Sequence, residues 1–234
     1  MSSQSQQEQK SAIKHKSVEL GFDLIGFSNA EPTPDVKALY YWLEKGYGAE
    51  LQYMYRNTEK RADPCNILPN AKTMISLALN YFSVKKNPCS SDRGNISNYA
   101  WGHDYHKIFT RKLKEFSNWI ENEISPGSKT LSYVDTGPIL EKSYAQQSGL
   151  GWIGKNTCLI NRKYGSWIFL GEIITDLELP ADLPEQDHCG TCTRCLEACP
   201  THALIEPGVL DARLCISYLS IEQRGSLPET ARPL

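Results

Sequence analysis

The chain has 234 residues, a formal net charge of −2 and 40% hydrophobic residues. That balance suits one large folded unit with a small one attached, and argues against a dedicated nucleic-acid binder, which is usually basic. No apolar run approaches the ~18 residues of a membrane span, and the Ser- and Gln-rich first nine residues lack the apolar core of a signal peptide, which predicts a cytoplasmic address.

Residues 1–10 read as a disordered lead-in. Residues 11–21 carry apolar side chains at helical spacing up to Gly21, and residues 22–27 read as a short strand. Glu31-Pro-Thr-Pro34 breaks the chain, and Asp35 is placed to cap a helix over 36–45. A strand is predicted over 73–82 and a polar loop over 85–98. The strongest helix signal spans 104–124, where Ile108, Phe109, Leu113, Phe116, Trp119 and Ile120 form one stripe. A stripe of that kind is core packing far more often than a cofactor surface. Residues 130–135 predict a strand that runs into the turn Asp135-Thr-Gly-Pro138, and residues 141–148 a short helix. Residues 157–161 and 166–175 look like a hairpin around Arg162-Lys-Tyr-Gly165, and 177–185, with Pro180 and Pro184, is the linker. The expected fold is α+β (or α/β): a domain over 11–178, then a metal-binding segment over 179–234.

Five of the eight cysteines fall between positions 189 and 215. Cys189-Gly-Thr-Cys192-Thr-Arg-Cys195-Leu-Glu-Ala-Cys199-Pro200 is C-x2-C-x2-C-x3-C-P, the spacing of a [4Fe–4S] ferredoxin segment. Thiolates at a stride of three grip adjacent irons of one cubane while the backbone turns around it. Structural zinc, the bland alternative, prefers two separated C-x2-C pairs. Cys189, Cys192 and Cys195 serve a first cluster. Cys199, expected to enter a helix, and Cys215, expected on a helix over 211–223, serve a second or complete the first. Cys158 reads as a small buried residue within a strand, and Cys65 and Cys89 as loop thiols.

Gly149-Leu-Gly-Trp-Ile-Gly-Lys-Asn156 matches G-x-G-x-x-G, but a helix precedes it and a strand follows, the reverse of a nucleotide-binding context. The glycines are expected to end the helix and to let the backbone approach something flat and large.

Arg61-Ala-Asp-Pro64, Leu68-Pro-Asn-Ala-Lys72, Trp101-Gly-His-Asp-Tyr-His106, Tyr133-Val-Asp-Thr-Gly-Pro138, the Gly149 run, Tyr164-Gly-Ser166, the cysteine run and Cys215-Ile-Ser-Tyr218 occur in an order that resembles the epoxyqueuosine reductases. The resemblance implies a cobalamin domain similar to that of reductive dehalogenases, two [4Fe–4S] clusters, and reduction of epoxyqueuosine to queuosine in tRNA, the last step of queuosine synthesis. It implies that Asp135 is the proton donor and that Arg61, Ser97, Asp135, Leu159, Leu170 and Ser217 contact the cobalamin. It assigns Cys189, Cys192 and Cys195 to one cluster and Cys199 and Cys215 to the other. It implies tRNA and an electron donor of unknown identity as partners, no membrane, and a monomer. On the residues alone Asp135 is a turn residue. Relatives continue beyond the position of Leu234 with a second cysteine motif, so an incomplete ligand set is expected here. Another corrinoid reductase of dehalogenase type, an electron-transfer ferredoxin module and a non-catalytic remnant remain as rival readings.

Overall fold

The structure is a computed structural model that describes residues 3–84 and 96–226. Its elements in chain order are α1 (Ser3–Glu19), β1 (Leu24–Asn29), α2 (Val36–Glu44), α3 (Gln52–Tyr55), α4 (Thr58–Ala62), β2 (Thr73–Asn80), α5 (Tyr105–Trp119), β3 (Thr130–Tyr133), α6 (Glu141–Gln147), β4 (Trp152–Ile153), β5 (Leu159–Ile160), β6 (Ile168–Thr175), α7 (Arg194–Glu197), β7 (Leu204–Glu206) and β8 (Val209–Leu210). The expected α+β class holds.

The frame is an antiparallel sheet of order β1-β2-β6-β3. Side chains alternate across a strand, so β2 divides its residues between two faces. Ile75 and Leu77 join Phe27, Ile173 and the α5 stripe of Phe109, Leu113, Phe116 and Ile120, with Ile13 of α1 packed among them. Met74 and Ala78 face α6, where Met74 meets Tyr144 and Ala78 meets Ala145. Layers on both faces explain why β2 is buried almost throughout. A fully buried Leu, Ile or Phe contributes about 1.5–3 kcal/mol, so this double-faced core is the main source of stability.

Several expectations are corrected. Residues 3–10 are helical, because α1 starts at Ser3 and is tied down: Gln9 donates to the Ile124 carbonyl, and the buried Lys10 ammonium meets Asp182 at 2.8 Å. Asp35 does not cap α2; its carboxylate accepts from Ser143 Oγ at 2.6 Å and ties α2 to α6. The hairpin over 157–175 does not form as one unit. Asn161 and Gly165 close a small bridge, but β5 pairs with β4 while β6 runs into the main sheet. Cys158 lies exposed in the turn before β5 rather than buried in a strand. α7 carries Cys195 and ends before Cys199, and Cys215 lies in extended backbone after a short turn at Ala212–Leu214. Cys89 and part of the 85–98 loop lie outside the described residues.

The linker is not a free tether. Leu177 and Leu179 are buried in the core, and Asp182 accepts from Lys10, Lys14 and the Phe27 N–H. The segment beyond it docks back through Trp42 Nε1 to the Leu210 carbonyl (2.6 Å), the Ala212 N–H to the Tyr47 carbonyl (2.8 Å) and the Gly208 N–H to the Lys155 carbonyl (2.9 Å). Among the described residues no helix is long and apolar enough to cross a membrane.

Candidate functional site

Asp135 follows β3 and occupies left-handed backbone at φ 59°, a conformation that Asp tolerates better than most residues. Its N–H donates to Glu141 Oε1 at 2.8 Å, and the next N–H, of Thr136, returns to the Val134 carbonyl at 2.6 Å. This tight reversal pushes the Asp135 carboxylate outward, where its side chain is 61% exposed.

The carboxylate is framed by α5. The Tyr105 hydroxyl donates to Asp135 Oδ2 at 3.0 Å, and His106 Nε2 lies 3.4 Å from the same oxygen. Burial, then the carboxylate of Asp135, push the Tyr105 phenol far above its ordinary range, so it remains a donor. Burial also pushes the Glu141 carboxyl up to about 7. Beneath the loop, α4 carries Arg61, whose buried guanidinium donates to the carbonyls of Gly137 (3.4 Å), Ile139 (3.5 Å) and Tyr53 (3.2 Å), while its Nε has no hydrogen-bond partner. Burial and the nearby carboxylates of Glu222 and Asp135 raise the Tyr53 phenol. The Tyr53 carbonyl holds Arg61, and its phenol feels both Asp135 and Glu222, which lies in the π-helical turn Tyr218–Glu222.

Beside Asp135 runs a shelf of rings. Tyr105 stacks on Phe169 (3.9 Å, 5°), and Phe169 meets Tyr81 at 4.4 Å. Tyr81, Tyr105 and Phe169, with Tyr99 and Trp101, border an open cleft of about 380 Å³. Flat apolar rings with a polar group at the edge suit a planar guest, either a macrocycle or an unstacked base.

The other residues singled out in the sequence are spread around this centre. Leu159 and Leu170 pack into one cluster with Ala78, Ala145 and Leu150. Ser97 is exposed and precedes the short helical turn Asn98–Ala100 at the rim of the ring cleft. Ser217 is exposed and opens the turn Tyr218–Glu222. The structure thus brings Arg61 directly against the Asp135 loop; the hydrogen bonds of Ser97 and Ser217 do not reach it.

The thiols of Cys189, Cys192, Cys195, Cys199 and Cys215 are unpaired, and Cys192 is exposed. Among the described residues no three metal-ligating side chains converge on one point. The donor chemistry nonetheless suits an iron–sulfur cluster: all five are soft sulfur donors, and iron binds the thiolate form. At Cys199, burial favours the thiol, but hydrogen bonds from the Leu204 backbone, the Thr201 hydroxyl and the backbone of Thr201 and Ala203 outweigh it and bring the thiol below its ordinary value.

The Gly149 run joins the two parts. Gly149 (φ 76°) ends α6 in left-handed backbone. A Cβ at Gly151 would stand 2.3 Å from the Ile160 carbonyl oxygen, so the close approach is to the chain's own β5 rather than to a ligand. The run ends in Lys155, whose ammonium donates to the carbonyls of Gly190 (2.7 Å) and Cys192 (2.9 Å) and so pins the cysteine loop. Sequence reasoning missed Lys155, Glu141, Tyr105, His106 and Asp104. The Trp101-Gly-His-Asp-Tyr-His106 segment was a signal for three of them, though its spacing named no role.

Comparison with known proteins places these features. Residues 61–136 match the family model "Epoxyqueuosine reductase QueG, DUF1730", and residues 188–234 match "4Fe-4S double cluster binding domain". The epoxyqueuosine reductase of Gloeobacter violaceus is 47% identical over 220 residues, covering 93% of this chain and 68% of that protein. A crystal structure of an epoxyqueuosine reductase with an epoxyqueuosine-modified tRNA-Tyr stem loop superposes with a TM-score of 0.90 at 34% identity, covering 97% of this chain and 60% of that one. The Bacillus subtilis enzyme, solved with its aspartate catalytic loop swung out of the active site, superposes with a TM-score of 0.88 at 33% identity. The chain therefore spans about three fifths of the length of those solved proteins.

Proposed function

The chain belongs to the epoxyqueuosine reductase family, and from that premise we propose that it reduces the epoxide of epoxyqueuosine in tRNA to the alkene of queuosine. The balance is epoxide plus two electrons and two protons, giving alkene and water. The observation that carries the reading is the carboxylate of Asp135, presented at a strained turn beside a cleft lined by aromatic rings and hydrogen-bonded by Tyr105.

A corrinoid held at this face would supply low-potential cobalt chemistry, and clusters held by the cysteine segment would supply single electrons. The chain's own residues do the rest. Asp135 gives a proton to the oxygen released from carbon; that the Bacillus subtilis protein has an aspartate catalytic loop supports this reading. Arg61 braces that loop from below through the carbonyls of Gly137 and Ile139. The unpartnered Nε of Arg61 and the flat ring shelf fit a large, partly polar macrocycle with amide arms. In this reading Leu159 and Leu170 would pack against the corrinoid, and Ser97 and Ser217 would contact it. Cys189, Cys192 and Cys195 hold one cluster, with Cys199 and Cys215 contributing to a second. In this reading residues 11–178 are the corrinoid domain, 179–234 the electron-transfer segment, and the protein works as a cytoplasmic monomer.

The test is anaerobic incubation of the iron- and cobalamin-loaded chain with a low-potential reductant and an epoxyqueuosine-bearing tRNA stem loop. Mass spectrometry of the nucleoside should show loss of one oxygen atom. A chain that binds both cofactors yet leaves the epoxide intact contradicts the reading.

A further inference from the structure

Removing an epoxide oxygen as water takes two protons, whereas one carboxyl carries one. Solvent can recharge Asp135 within a turnover, because its side chain is 61% exposed; a group held against its carboxylate and open to water would do so faster. Asp104 accepts the backbone N–H of His106 at 3.0 Å and, with the same Oδ1, holds His106 Nδ1 at 2.9 Å. Tyr105 lies flat along the imidazole, with centroids 4.0 Å apart. Fixed on one edge and one face, the ring turns Nε2 toward Asp135 Oδ2 at 3.4 Å, while 41% of its side chain stays open to water. Among the described residues, the other titratable or charged groups around this array are Tyr105 and Lys107 on the same helix, Glu141 and Arg61 behind the Asp135 loop, and Tyr53.

We propose that His106, positioned by Asp104, is the relay that returns a proton to Asp135 during turnover; this rests on Asp135 being the proton donor. In the first transfer the Asp135 O–H bond breaks, its proton joins the oxygen freed from carbon, and a carboxylate is left. The Nε2–H bond of the imidazolium then breaks, its electron pair stays on nitrogen, and the proton joins Asp135 Oδ2. Neutral His106, kept as the Nδ1–H tautomer by Asp104, takes a new proton at Nε2 from a buffer acid or hydronium ion. Tyr105 keeps its hydroxyl proton throughout and orients the carboxylate.

The test has two arms on the full chain. In the first, ¹⁵N spectra of the His106 imidazole are recorded for the parent and for the Asp104→Ala and Asp135→Asn variants. Loss of the Nδ1–H tautomer preference in Asp104→Ala, which removes the acceptor of Nδ1–H, and a displaced Nε2 resonance in Asp135→Asn are expected; identical spectra in all three overturn the proposal without any turnover. In the second, His106→Gln, which keeps a donor amide but cannot shuttle a proton, is assayed on epoxyqueuosine-bearing tRNA. Its kcat should fall roughly tenfold, less than the ~10²–10⁴ worth of the acid itself because solvent also reaches Asp135, with KM unchanged and added imidazole restoring part of the rate. A wild-type kcat in His106→Gln overturns the relay. A parent chain that makes no product condemns the functional reading instead, and the spectra still decide the pairing.

Discussion

Asp135 is held by β3, α4, α5 and α6, elements far apart in sequence, whereas the thiols 189–199 sit within one short stretch supported by its own turns and by Lys155. The proton-handling region is built by tertiary packing: a guanidinium below, a phenol and an imidazole beside, a carboxyl behind. The electron-handling region is written along the chain, and its order comes from the docking bonds of Trp42, Tyr47 and Lys155. The lesson is that the two should fail differently. Damage to the thiols should spare the sheet, and damage around Asp135 should spare the iron.

The largest effect should come from Cys195→Ala. It should lose iron and all turnover, yet leave the melting of the sheet domain unchanged, because Cys195 touches none of the core clusters. Iron analysis with differential scanning calorimetry checks this; retained iron at the wild-type level would end the two-region picture.

Glu141 sharpens the comparison from the other side. The folded chain keeps its proton up to about pH 7, whereas an unperturbed carboxyl releases it near 4.5. Between those values the folded state binds more protons than the unfolded one, so this site's contribution to stability falls as pH rises through the window, and the cost is complete above it. Glu141→Gln keeps an acceptor for the Asp135 N–H and removes the titration. It should match the parent near pH 4 and exceed it above pH 7 by up to roughly 3 kcal/mol. Urea melts across pH read the difference; iron content should not change.

Lys155→Met should have the smallest effect. Loss of two charge-assisted hydrogen bonds at a part-exposed site should loosen the 189–192 loop by about 1–2 kcal/mol. Limited proteolysis should cut that loop sooner in the variant, with the sheet domain's melting temperature unaltered. Equal cleavage rates would show that the docking bonds elsewhere suffice.

How much of this was legible in the sequence follows from the same contrast. The cysteine spacing is itself the chemistry, so it was readable directly. The α5 stripe and the buried β2 run were readable because period reports which face is covered. The pairing of β5 was not: residues 157–175 alternate as a hairpin would, and nothing local says that Leu159 prefers Ile153 to the strand that follows it. The first ten residues look unstructured by composition, yet the order of residues 3–10 comes from Gln9 and Lys10 reaching Ile124 and Asp182. Arg61, Glu141 and His106 are ordinary polar residues until folding places them around Asp135. The sequence motifs marked Arg61 and the stretch around His106, but only packing shows what each one holds.

Asp135→Asn in the cofactor-loaded chain tests the central claim most directly. Cofactor spectra, iron content and reduction by a low-potential donor should match the parent, while oxygen loss from epoxyqueuosine-bearing tRNA falls by roughly 10²–10⁴, the usual worth of a general acid. A variant that reduces the epoxide within a factor of about three of the parent, less than the smallest effect expected of a lost general acid, would show that the proton does not come from Asp135.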